Sequence, residues 1–150
     1  MANKALIQSG GDGTEVPSGS ILSKVDWSYG SSTTLSNNNT MQDVGGGSQG
    51  ITLNKGCYLC FVTSNGTPST SNMRLFTQVI VSSGTAILTK MAGQGDSVFV
   101  MDISGNSGTS SHIFYAVVTV DSTVIKIQAQ PAGGTYNNSV VVAGGAIRIA

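Results

Sequence analysis

The chain has 150 residues, enough for a single domain with a real hydrophobic core, and its seven basic and seven acidic side chains cancel to a formal net charge of zero. With only 9% of residues charged, it has no basic field for nucleic-acid phosphates and no polybasic run for anionic lipid, which sets aside nucleic acid and membrane as partners. The polar load falls on Ser, Thr, Asn and 20 glycines, while Val, Ile and Thr gather in short clusters; that combination predicts an all-β domain with polar loops rather than a disordered chain.

Residues 1–8 lack the apolar centre of a secretory signal, and no run approaches the ~20 apolar residues of a membrane span, so the expectation is a protein made and kept in a cytoplasm. The sequons that begin at Asn38, Asn65 and Asn137 are accordingly read as Asn-rich turns. Residues 1–19 form an arm, distinct from a β-sandwich domain over 20–150. Residues 9–19 are rich in Gly and Ser and offer little to bury. Fixing each such residue costs roughly 1–2 kcal/mol, so the arm orders only against another surface. Ala5, Leu6 and Ile7 are its anchor, and Val16 and Pro17 its further contact residues.

Residues 21–27 are the first expected strand, with Ile21, Ser23, Val25 and Trp27 alternating against Leu22, Lys24 and Asp26. A long polar connector over 28–50 holds an edge strand at 36–44. Strands follow at 51–53 and 57–63. Residues 64–72 are a loop, because Pro68 argues against an internal strand. Further strands are expected at 73–81, 86–91 and 97–101, and a loop at 104–111. The run from Ile113 to Val120 is apolar on both faces, whereas beyond Asp121 and Ser122 the positions Ile125, Ile127 and Ala129 alternate with Lys126, Gln128 and Gln130. This predicts a doubly covered strand joined by a tight turn to a half-exposed one, as an antiparallel hairpin. Residues 131–138 loop out and 139–149 close the chain. Eight to ten short strands with Gly-rich turns and no helix indicate an antiparallel two-sheet sandwich, most simply a jelly roll.

Reactive groups are sparse. Cys57 and Cys60 have metal-like spacing, but there is no second pair and only one histidine, and three residues apart on a strand they point to opposite faces. They are read as two free, largely buried thiols. His112 is read as a plain strand-end residue, with a pH-sensitive interface group as the alternative. The carboxylates are scattered at turns, and the glycine clusters at 10–13 and 45–47 are not followed by a helix or by Gly-Lys-Ser/Thr. No enzymatic constellation, cofactor or metal is expected. More telling is the second apolar face of Ile113, Tyr115 and Val117. A sandwich needs one face per sheet for its own core, so if Phe114, Ala116, Val118 and Val120 supply that core, the odd-numbered set is left for an identical subunit.

Residues 56–61, Gly-Cys-Tyr-Leu-Cys-Phe, resemble the Gly-x-Tyr-x-Phe strand of the tumour necrosis factor and complement globular-head jelly rolls, and the segments 110–130 and 140–149 sit where that fold has its last strands. Cys60 stands where the family has its aromatic, leaving Phe61 on the other face. The resemblance implies a homotrimer with an apolar three-fold core. The segment 7–19, with Gly-Asp-Gly-Thr-x-Val-Pro-x-Gly, resembles a module at the start of tailed-bacteriophage virion proteins. An arm followed by a trimeric head resembles a capsid decoration (cement) protein. It implies a structural part of the virion exterior, synthesised in the host cytoplasm, whose partner is the major capsid protein. The alternative is a tail-fibre head that binds host glycans through loops at 64–72, 105–111 and 133–138.

Overall fold

The computed structural model of the chain describes residues 21–27, 33–36, 39–44, 50–69, 73–90, 98–103 and 108–150. Within them lie eleven strands: β1 (Lys24–Asp26), β2 (Thr33–Leu35), β3 (Gln42–Asp43), β4 (Ile51–Leu53), β5 (Gly56–Pro68), β6 (Met73–Ser83), β7 (Ala86–Lys90), β8 (Val98–Ile103), β9 (Gly108–Val118), β10 (Thr123–Ala132) and β11 (Tyr136–Arg148). No helix occurs among the described residues. The arm, including Ala5, Leu6, Ile7, Val16 and Pro17, lies outside them.

The strands form two antiparallel sheets. The front sheet runs β1-β11-β5-β9-β7, with β2 also paired to β11, and the back sheet runs β3-β10-β6-β8, with β4 also paired to β10. β4 pairs with the start of β10 and β3 with its middle, so the two act as one interrupted edge strand. The chain therefore passes repeatedly between sheets in the strand order of a jelly roll. Each sheet turns alternate residues inward. Tyr58, Cys60 and Val62 of β5 and Phe114, Ala116 and Val118 of β9 meet Leu75 and Val79 of β6 and Ile125, Ile127 and Ala129 of β10 in a single core. Trp27 closes one side, against Gly144 of β11. A Cβ on Gly144 would stand 2.8 Å from the Trp27 Cβ, so only glycine lets the indole in.

The expected hairpin at Asp121 and Ser122 does not form. β9 pairs with β5 and β7, whereas β10 pairs with β3, β4 and β6, so the junction carries the chain from one sheet to the other. Alternation decides which face of a strand is buried but not which sheet the strand joins. Full-length pairing decided the latter: β9 matches β5 from Gly66↔Gly108 to Gly56↔Val118 without a register shift. The crossing is held by side chains. Thr123 Oγ1 donates to the Val120 carbonyl at 2.7 Å and accepts from the Thr85 N–H at 3.1 Å. Asp121 Oδ1 accepts from the Lys55 N–H at 2.7 Å, and Asn54 Oδ1 accepts from the Ser122 N–H at 3.3 Å, with Ser122 in the left-handed region at φ 59. Because the chain leaves its sheet here, Val120 is 50% exposed rather than part of the core.

Other boundaries also moved. The first strand shrinks to β1, with Ile21 and Leu22 exposed, although Ser23 and Trp27 keep the expected inward phase. The edge strand expected at 36–44 contracts to β3, and β2 was not foreseen. The loops expected at 64–72, 104–111 and 131–138 give up residues to β5, β9, β10 and β11. Pro68 is tolerated because it is the last residue of its strand, and Pro131 because it pairs with Leu75 near the end of its ladder with β6. Polar residues that read as loop are here strand residues at the ends of long ladders.

Gly84 turns the chain from β6 into β7 at φ 76, and a Cβ there would stand 2.3 Å from Thr123 Oγ1 and 2.8 Å from its Cα. Gly84→Ala is therefore expected to destabilise the fold by about 2–4 kcal/mol, the left-handed penalty plus the displacement of Thr123. Denaturant unfolding of the variant against the parent measures it, and a loss below half a kilocalorie would contradict the tight approach.

Candidate functional site

The two outer faces of the sandwich differ in chemistry. On the back sheet, outward side chains of three strands are tied to one another. Gln78 Nε2 of β6 donates to Gln128 Oε1 of β10 at 2.9 Å, and Gln128 Nε2 donates to Asp43 Oδ1 of β3 at 2.9 Å. Lys126 Nζ pairs with Asp43 Oδ2 at 3.2 Å. These polar groups satisfy one another, on a face they share with the half-buried Phe76, Ile80 and Val124.

On the front sheet the register stacks apolar side chains instead. Ile87 of β7 pairs with Val117 of β9, which pairs with Cys57 of β5. Two residues along, Tyr115 of β9 pairs with Leu59 of β5, which pairs with Ile147 of β11. Two residues further, Ile113 of β9 pairs with Phe61 of β5, which pairs with Gly145 of β11. The Phe61 ring lies over Gly145, 3.6 Å from where a Cβ would stand. Ile87 is 63% and Ile113 54% exposed, with Tyr115, Val117 and Phe61 also open. The described ion pair nearest to this patch is Lys24–Asp26 of β1, at its margin. Adjacent exposed side chains forming one uncharged surface across three strands are the mark of an interaction face, whereas scattered ones are not.

The outward residues of β9 foreseen as an interface, Ile113, Tyr115 and Val117, form the middle row of this patch. Phe114, Ala116 and Val118 face the core, as expected. Sequence reasoning missed Phe61, Leu59, Ile87 and Ile147. The alternation of Ile87 with Leu88, and of Phe61 with Cys60, contained the signal, but only the pairing of β5 and β7 on either side of β9 assembles these positions into one surface.

The groups that could carry chemistry are dispersed. No group of three or more potential metal ligands occurs among the described residues. Cys57 and Cys60 are both free and lie on opposite faces of β5, Cys60 in the core and Cys57 half-buried on the outward face. His112 is not a strand-end residue. It lies within β9, 3% exposed, with Nε2 2.8 Å from Thr77 Oγ1 of the opposite sheet. Of the carboxylates, Asp26 and Asp43 sit in ion pairs and Asp121 accepts a backbone bond. Comparison of the chain with protein-family models, with curated proteins and with solved structures returns no match.

Burial pushes the Cys60 thiol up to about 12, because the core cannot solvate a thiolate. In native protein at pH 8, an aromatic disulfide reagent should leave Cys60 unmodified until denaturant is added. Peptide mapping that found Cys60 labelled at the rate of a free thiol in the native state would contradict its place in the core.

Proposed function

We propose that the chain is a structural protein that self-associates through the front-sheet face, as a homotrimer, and decorates the exterior of a bacteriophage capsid with the arm of residues 1–19 bound to the major capsid protein. The observation that carries the self-associating half is the uncharged patch of Phe61, Ile87, Ile113, Tyr115 and Val117, set against a back face on which Gln78, Gln128, Asp43 and Lys126 are bound to one another. An identical subunit is the occupant that best suits it. A surface without charge has no sign to complement, so its recognition rests on shape and burial, and copies of one chain offer the same surface at every encounter. The jelly-roll order and the resemblance of residues 56–61 to trimeric heads favour three copies.

The capsid half rests on the arm: its polar, glycine-rich composition and its resemblance to a phage virion module. In this reading the protein does no chemistry. Each trimer bridges several capsid subunits and stabilises the assembled shell by binding it in preference to its parts.

Sedimentation equilibrium should give the mass of three chains, and Val117→Asp should give the mass of one. Because Val117 points out of the sheet, the variant should stay folded, its monomer changed by no more than about 0.5 kcal/mol, while a buried unpaired carboxylate costs the assembly several kcal/mol. A parent protein that stays monomeric at all concentrations would overturn self-association. Deleting residues 2–19 should abolish co-sedimentation with capsids while leaving the trimer intact, and undiminished binding of the truncated chain would reject the arm's role.

A further inference from the structure

Leu22 has a backbone conformation that its side chain does not favour. It stands at φ 67, in the left-handed region that glycine enters freely and a branched side chain enters at a cost. The hydrogen bonds show what the chain does there. The Leu22 N–H donates to the Arg148 carbonyl at 2.6 Å, and the Ser23 carbonyl accepts from the Arg148 N–H at 2.9 Å. Two residues, Leu22 and Ser23, thus stand against one, in the kind of bulge whose first position is ordinarily glycine. The bulge buries Ser23 and sets the register in which Lys24 meets Ile147. Glycine at 22 serves that purpose without strain. The leucine is moreover 45% exposed, so the fold takes only part of what burying this side chain gives. An exposed apolar side chain kept at a strained position points to a contact outside the chain.

The neighbours of Leu22 show where that contact lies. Ile149, just past the end of β11, donates its N–H to the Cys57 carbonyl at 2.8 Å and is 42% exposed. Two residues beyond Ile147, it keeps the outward phase of that residue. Cys57 is the register partner of Val117, and Val117 that of Ile87. One row of the front face therefore runs Ile87, Val117, Cys57, Ile149, and ends beside Leu22, which is bonded to the adjacent Arg148. Ile21, also exposed, leads from Leu22 back into the arm. Lys24, two residues further on, is paired with Asp26 and marks the polar margin.

We propose that Leu22 is an assembly residue, held by its left-handed bulge for contact with a second copy of the chain, and that the association face extends through Ile149 to the root of the arm. A second copy is the occupant because this row is continuous with the uncharged patch of Ile87, Ile113, Tyr115 and Val117. In this arrangement the arm of residues 1–19 leaves each subunit at the seam between copies, so association sets where the arms depart. The inference rests on the self-association proposed above.

Leu22→Asn in the full chain tests it, because its two expected effects have opposite signs. Asparagine tolerates the left-handed region without adding glycine's freedom to the unfolded chain. At a dilution where the parent is dissociated, the variant should therefore unfold at a denaturant midpoint equal to the parent's or higher. The same change removes an apolar side chain from the contact, so self-association read by sedimentation should weaken about tenfold. Leu22→Met, which keeps an apolar side chain, should associate within about twofold of the parent. A lower midpoint in the asparagine variant would give the leucine to the fold and overturn the proposal. So would undiminished association, including the case in which only co-sedimentation with capsids is lost, which would give the leucine to the capsid. A parent that is monomeric at every concentration would refute self-association and this inference with it, whereas an associating parent indifferent to Leu22→Asn would refute this inference alone.

Discussion

A strand has two faces, and a two-layer sandwich can bury only one of them. This constraint governs the molecule because β9 is apolar on both. Its inward residues Phe114, Ala116 and Val118 satisfy the core, while Ile113, Tyr115 and Val117 stand exposed among the described residues. Flanked by Phe61 and Leu59 on one side and Ile87 on the other, they concentrate unburied apolar surface where the sheet is broadest. At about 25 cal/mol per Å² of apolar surface removed from water, a face of this kind is a standing driving force for association, and one that no salt concentration screens.

The back sheet answers the same constraint in the opposite way. Lys126, Gln128 and Gln130 alternate with Ile125, Ile127 and Ala129 along β10, so this stretch of the outer face is polar, and Gln78, Gln128 and Asp43 then bind one another across three strands. Such side-chain contacts across a sheet contribute modestly to stability, but they align neighbouring strands. The asymmetry between the two faces is therefore chemical rather than geometric.

What could be read from the sequence follows the reach of each physical signal. Period-two alternation is local, so the inward and outward phases of β9, β10 and the segment from Ser23 to Trp27 were legible residue by residue. Pairing is not local. Whether Asp121 and Ser122 close a hairpin or carry the chain between sheets depends on the eleven-residue match of β9 with β5, more than forty positions away, and on Thr123, Asn54 and Thr85 closing around the junction. The same limit hid Phe61 and Ile87, ordinary exposed residues until pairing sets them beside Ile113 and Val117. Strand ends were misjudged for a different reason. Ser, Asn, Gly and Pro near 64–68 and 131–132 carry turn propensity, and a long ladder with a well-placed neighbour overrides it.

The contact between His112 and Thr77 across the core shows how the two sheets came to be specific for one another. Apolar side chains of similar size can slide by one strand position at modest cost, whereas a buried imidazole must find its hydroxyl or lose its hydrogen bond. His112 and Thr77 thus fix β9 over β6, and through β9 they fix the rows in which Ile113, Tyr115 and Val117 are presented. Had residue 112 been another valine, the core would hold as much apolar surface and the sheets would have one fewer reason to stop at this alignment. The order of the outer face is in this sense set from inside: a buried polar pair chooses the register, and the register turns exposed apolar residues of three strands into one surface.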